Sequence, residues 1–241
     1  MRHVLSRWSL ALCCLATVLS NSGCISLYNR SDRSTPQENV HAALLVRLEA
    51  RPGQEEEVRK FLVGALPRVQ AEPATLQWFA LRFGPTSFGI FDTFLDEAGQ
   101  QAHLQGPVAA ALTARASELL ARPPDLQTVQ PLETKAPPLG PDATVHQGLV
   151  ITLEAKPGKE NEVKKFLEET LPVVRDEPGT TYWFAFRLSP SKFGIVDTFP
   201  SEAGRQAHLD GQVAEELMAR TKELFASPPT VEPVDVLAAK P

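Results

Sequence analysis

A chain of 241 residues with a formal net charge of -5 allows one large domain, or two of ~100 to 120 residues that each bury a core. With 43% hydrophobic and 22% charged residues it reads as a soluble globular protein, which excludes a disordered polymer and a membrane-spanning bundle. Lys and Arg are nowhere gathered into a basic face, so nucleic acid is not an expected partner.

The N-terminus stands apart from that globule. Arg2, His3 and Arg7 precede a short apolar run, Leu10 to Leu19, and Asn21-Ser22-Gly23 lead to Cys24, the layout of an export signal over residues 1–24. The run is too short to span a bilayer. LSNSGC resembles a bacterial lipoprotein processing site, which implies a lipid on Cys24 and an exported protein held at a membrane of the cell envelope; an ordinary secretory signal cut nearby is the other reading. Cys13 and Cys14 would leave with the signal, so no intramolecular disulfide is expected in the mature chain. Residues 25–40 are polar and turn-rich, a flexible tether.

From residue 41 the chain says everything twice. An offset of 105 residues, without a gap, places His41 on His146, Trp78 on Trp183 and His103 on His208, with roughly half the positions identical. The copies, 41–133 and 146–241, are domain-sized units, and the Pro-rich stretch 134–145 reads as the linker between them.

Each copy parses into the same elements. His41 to Ala50 alternates as a strand and stops at Pro52-Gly53. EEEVRKFLVGALPRV has acidic residues in its first turn and apolar residues at helical spacing. Leu76 to Phe83 and Phe88 to Phe94 are strands joined as a hairpin, with Arg82 opposite Phe88. Asp96 caps a short helix reaching His103, a second helix covers Val108 to Ala121, and Leu126 to Leu132 is a closing strand. The fold class is α+β, with each repeat a ferredoxin-like β-α-β-β-α-β unit. Both faces of the hairpin are apolar while helices cover only one, so the other face must meet the second copy's sheet.

The runs WFALRFGPTSFGIFDTFLDEAGQQAHLQGPVAAAL and YWFAFRLSPSKFGIVDTFPSEAGRQAHLDGQVAEEL resemble the antibiotic biosynthesis monooxygenase family of the dimeric α/β-barrel superfamily. Such proteins usually dimerise through their sheets. The resemblance implies that here the two copies pack sheet to sheet as an intramolecular dimeric α/β barrel, an internal pseudo-dimer with no obligate partner chain. It also implies a monooxygenase without metal or flavin: an electron-rich phenol, quinol or anthrone-like compound loses a proton, and its anion reduces dioxygen. Such a protein needs a base, a dry pocket and aromatic walls. The sequence carries no HxxxH, CxxC, GxGxxG or nucleophile elbow, and haem-degrading relatives are a poorer match because the first strand offers no Asn.

Five pairs of residues have chemistry to offer. His103 and His208, late in the short helix, read either as general bases or as helix C-terminal caps. Asp92 and Asp197, opposite Trp78 and Trp183, should be buried and in need of a partner; Arg82 and Arg187 on the same face are the candidates, forming a structural latch unless the carboxylate is catalytic. Trp78, Trp183, Arg82 and Arg187 are also the candidates for substrate binding, the tryptophans either walling an aromatic pocket or filling the core. His41 and His146 open the first strands, where a half-exposed position at a pocket mouth is the most they offer. The rival to an enzyme is a noncatalytic binding protein of the envelope that uses the same fold for a small molecule.

Overall fold

A computed structural model of the chain describes residues 40–138 and 144–241. The export signal, Cys24, the tether up to residue 39 and the centre of the seam lie outside them. Repeat 1 contains β1 (Ala42–Glu49), α1 (Glu55–Gln70), β2 (Thr75–Arg82), β3 (Ser87–Phe94), α2 (Glu97–Leu104), α3 (Pro107–Leu119) and β4 (Asp125–Lys135). Repeat 2 contains β5 (Gln147–Glu154), α4 (Glu160–Arg175), β6 (Tyr182–Arg187), β7 (Lys192–Phe199), α5 (Glu202–Leu209), α6 (Gln212–Leu224) and β8 (Thr230–Lys240).

Local signals explain these elements. Glu55, Glu56 and Glu57 oppose the dipole at the start of α1, whose buried face is Val58, Leu62, Ala65 and Val69. The Asp96 side chain accepts a hydrogen bond from the Gly99 N–H to cap α2, and Ser201 does the same for α5 from Gly204. Gly89 is dictated by space: a Cβ there would stand 2.6 Å from the Val46 carbonyl oxygen and 2.8 Å from the Phe83 ring.

Within repeat 1 the strand order is β4-β1-β3-β2, the ferredoxin-like order, and in repeat 2 it is β8-β5-β7-β6. The two sheets then join at their edges. β2 pairs with β8 and β4 pairs with β6, giving one closed eight-stranded barrel. Closure leaves no free sheet edge. β4 therefore runs on through Lys135, because the second half of the strand finds its hydrogen-bond partners in the other repeat; Thr134 and Lys135 are strand rather than linker.

The alternation of the hairpin divides the core in two. Phe79, Leu81 and Phe91 meet Tyr182, Phe184 and Phe186 inside the barrel, with ring centroids of 5.1 to 6.0 Å between facing aromatics. Trp78, Ala80 and Ile90 point outward under the helices of repeat 1, as Trp183, Ala185 and Ile195 do in repeat 2. Each helix-covered core is completed by the other repeat's last strand, Leu237 and Ala238 on the first and Leu132 on the second.

Candidate functional site

The chemistry sits on that outer, helix-covered face. The hairpin register opposes Trp78 to Asp92 and Trp183 to Asp197, and both carboxyls are buried, at 1% and 0% exposure. The short helix brings its histidine over them. His103 Nε2 lies 3.3 Å from Asp92 Oδ2, and His208 Nε2 lies 3.3 Å from Asp197 Oδ2.

The second ring nitrogen is held as well. His103 Nδ1 is 2.6 Å from Glu72 Oε2, and His208 Nδ1 is 2.6 Å from Glu177 Oε2, so each Nδ1 carries the proton and donates it. Thr75 and Thr180 hydroxyls donate to the same oxygens at 2.9 and 2.7 Å. Phe94 and Phe199 lie against the imidazoles with centroids 5.5 and 5.4 Å away. Each repeat thus holds a string of carboxylate, imidazole and carboxyl, buried except at its Glu end.

Glu72, Glu177, Thr75 and Thr180 are absent from the sequence-based candidates. A signal was there: Glu72-Pro73-Ala74-Thr75 and Glu177-Pro178-Gly179-Thr180 are the same E-P-x-T phrase at the same offset, in the turn after α1 and α4.

The expected Asp–Arg latch does not form. Arg82 stands four residues along the strand from Trp78, ~13 Å at strand rise, beyond reach of Asp92. Its Nε donates to the Gly84 carbonyl at 3.1 Å, and Arg187 donates to Ser189 at 3.0 Å, so both guanidiniums tie down their own hairpin turns. The tryptophans are core: neither is exposed, and Trp78 and Trp183 are packed under the helices. Their indole N–H groups, Asp92 Oδ1 and both Asp197 carboxyl oxygens are buried without a hydrogen-bond partner, so His208 Nε2 meets Asp197 Oδ2 at ion-pair distance and not in a hydrogen bond. His41 and His146 are exposed.

Three grooves bear on these residues. One of about 490 Å³ opens at the Glu177 end of the second string, walled by Pro172, Val173, Pro178 and Ala207 beside Thr180 and His208. The other two lie at the barrel rim, about 480 Å³ beside His41 and Arg187 and about 310 Å³ beside Arg82. Among the described residues no group of His, Cys, Asp and Glu is arranged to hold a metal ion.

No protein-family model matches the sequence, and no curated protein sequence does. Solved structures do. A candidate monooxygenase from Fusobacterium nucleatum superposes with a TM-score of 0.73 at 14% identity, over 83% of this chain and 94% of that one. A ferredoxin-fold protein from Listeria monocytogenes, related to antibiotic biosynthesis monooxygenases, gives 0.51 at 8% identity over 82% and 95%. A protein of unknown function from Nitrosomonas europaea is 50% identical over 40% of this chain and 94% of its own, with a TM-score of 0.40. The chain belongs to one family with the Nitrosomonas protein, and its fold is that of the antibiotic biosynthesis monooxygenase barrels.

In this barrel the electrostatics of the strings follow from burial. Burial pushes the Asp92 carboxyl well above the ordinary range, and the Glu72 charge adds to the push. Asp197 is also raised by burial, against the pull of His208. Burial opposes charge on His208, yet Asp197 and then Glu177 outweigh it and lift the imidazole to about 10. Burial likewise works to raise Glu177, but hydrogen bonds from His208 and Thr180 win and leave it below its usual value. At neutral pH the second site is an imidazolium between an ionised Glu177 and the Asp197 carboxyl, which burial raises and the charge of the imidazolium pulls back down.

Proposed function

We propose that the protein is a cofactor-independent monooxygenase that oxidises a small hydroxylated aromatic compound, of the quinol or anthrone type, with dioxygen. The observation that carries this is the Glu177–His208–Asp197 string ending on a groove with apolar walls. A flat aromatic ring fits such walls, and its hydroxyl would face the Glu177 carboxylate where the string meets the groove.

His208 is not the base in this reading, since an imidazolium near pH 7 has no lone pair to offer. Glu177 takes the substrate proton. The negative charge moves from Glu177 to the substrate oxygen and stays beside the imidazolium, which lowers the cost of forming the anion. The anion then gives its electrons to dioxygen. For an anthrone the CH₂ becomes C=O, with one oxygen atom retained and the other leaving as water; for a quinol the product is a hydroxyquinone and water. Anchoring belongs to the same proposal: the protein works at the cell envelope, held by a lipid on Cys24, and Cys24→Ser should release it from membranes. Unchanged partitioning would reject the anchor.

Oxygen uptake over a panel of quinols and anthrones tests the reaction. Wild type should consume dioxygen, and Glu177→Gln should lower kcat by about 10²-fold or more. The noncatalytic binding reading draws on a specific observation, that carboxylates face both ring nitrogens of His208. No uptake by wild type across the panel, with ligand still quenching protein fluorescence, would favour it.

A further inference from the structure

The two site glutamates hang from turns that the opposite repeat holds. Across the sheet, Lys135, Trp183, Asp197 and Leu149 form one row over β4, β6, β7 and β5. Lys240, Trp78, Asp92 and Leu44 form the same row over β8, β2, β3 and β1. In each row the lysine comes from one repeat and the other three residues from its neighbour.

Both lysines do the same thing. Lys135 Nζ donates to the carbonyls of Val174 and Glu177 at 2.8 and 2.7 Å. Lys240 Nζ donates to those of Val69 and Glu72 at 3.2 and 2.6 Å. Val69 and Val174 are in the last turns of α1 and α4, where a cation is favoured; each carbonyl also accepts the N–H of the glutamate three residues on, at 3.0 and 3.1 Å, and the lysine takes its second lone pair. The second acceptor is the carbonyl of the very glutamate whose side chain grips the histidine. Burial lowers both lysines, and the nearby Glu177 or Glu72 charge pulls them back.

We propose that each Glu–His–Asp site is a composite of both repeats, with Lys135 of repeat 1 positioning Glu177 and Lys240 of repeat 2 positioning Glu72. The lysines are positioning residues, acting through the backbone of the glutamate. A repeat alone would leave the glutamate carbonyl without its lysine and the turn held only by its own backbone hydrogen bonds, such as Glu72 N–H to Val69 and Glu177 N–H to Val174, so a single-repeat relative would need a second copy to finish its site. The inference takes the strings to be the functional sites of the preceding proposal, but its test does not depend on turnover.

The test uses the full chain and the ring Nδ1–H protons of His103 and His208, which short bonds to carboxylates move far downfield in the NMR spectrum. Lys135→Met should shift or broaden the His208 line and spare that of His103. Lys240→Met should do the reverse, and Lys→Arg at either position should return the line toward its wild-type place. Where a Met variant does not fold, Lys→Gln must show the same crossed pattern. A variant that moves the histidine of its own repeat, both histidines, or neither overturns the proposal. Loss of the crossed pattern alongside normal oxygen uptake would reject the lysine role and leave the monooxygenase reading intact; the crossed pattern without uptake would do the opposite.

Discussion

The two repeats hold the same string of atoms to within 0.1 Å, 2.6 Å from Glu to His and 3.3 Å from His to Asp, yet they build different walls around it. Val173, Asp176, Gly179 and Gln212 at the second groove stand where the first repeat has Arg68, Ala71, Ala74 and Pro107. A fixed string inside a changing wall means that the string is set by the sheet row and the E-P-x-T turn, whereas selectivity is free to differ between repeats. The inside of the barrel varies in the same way, with Gln77 in one repeat and Tyr182 in the other.

The largest expected effect tests sameness. Trp78→Ala and Trp183→Ala, both at fully buried positions, should each cost ~3 to 5 kcal/mol in urea unfolding. Costs that differ by more than that spread would mean that the two cores are not equivalent. Activity should then separate the repeats: Glu177→Gln should cost about 10²-fold in kcat, and Glu72→Gln less, if the second wall is the one that admits substrate. Equal losses would assign turnover to both.

Stability against pH sharpens the comparison further. His208 is raised from 6.5 to about 10 in the folded protein, so its contribution is complete below pH 6.5 and is lost as pH climbs through 10. The melting temperature should therefore fall across that window more steeply in wild type than in His208→Gln. Parallel curves would contradict the charged imidazole. The smallest effect is expected from Gly179→Ala, which copies repeat 1. Its Cβ would meet only Gly204 at ordinary contact, 3.4 Å or more, so stability should change by under ~1 kcal/mol while KM rises. An unchanged KM would remove Gly179 from the substrate wall.

Much of the fold was legible because it is written locally. The alternation of Trp78 to Arg82 against Phe88 to Asp92 gave the register, Asp96 gave a helix start, and the two apolar faces required a second sheet. That the two sheets form one barrel came with the family resemblance, but which edges meet, β2 with β8 and β4 with β6, was not legible, because an edge pairing between strands ~150 residues apart in one case leaves no local mark. The site divides along the same line. His103, His208, Asp92 and Asp197 stand out by residue type, but their partners are Glu72 and Glu177 in turns and Lys135 and Lys240 at strand ends, positions that also suit any solvated charge. Arg82 and Arg187 share the face of the aspartates, and only the distance along the strand rules them out.

The central claim is that the second site holds a charged imidazole between Glu177 and Asp197. Following the His208 ring resonances from pH 6 to 11 measures it directly. The imidazole should remain protonated past pH 8 and titrate at about 10. A midpoint at the ordinary histidine value of ~6.5 would contradict the account.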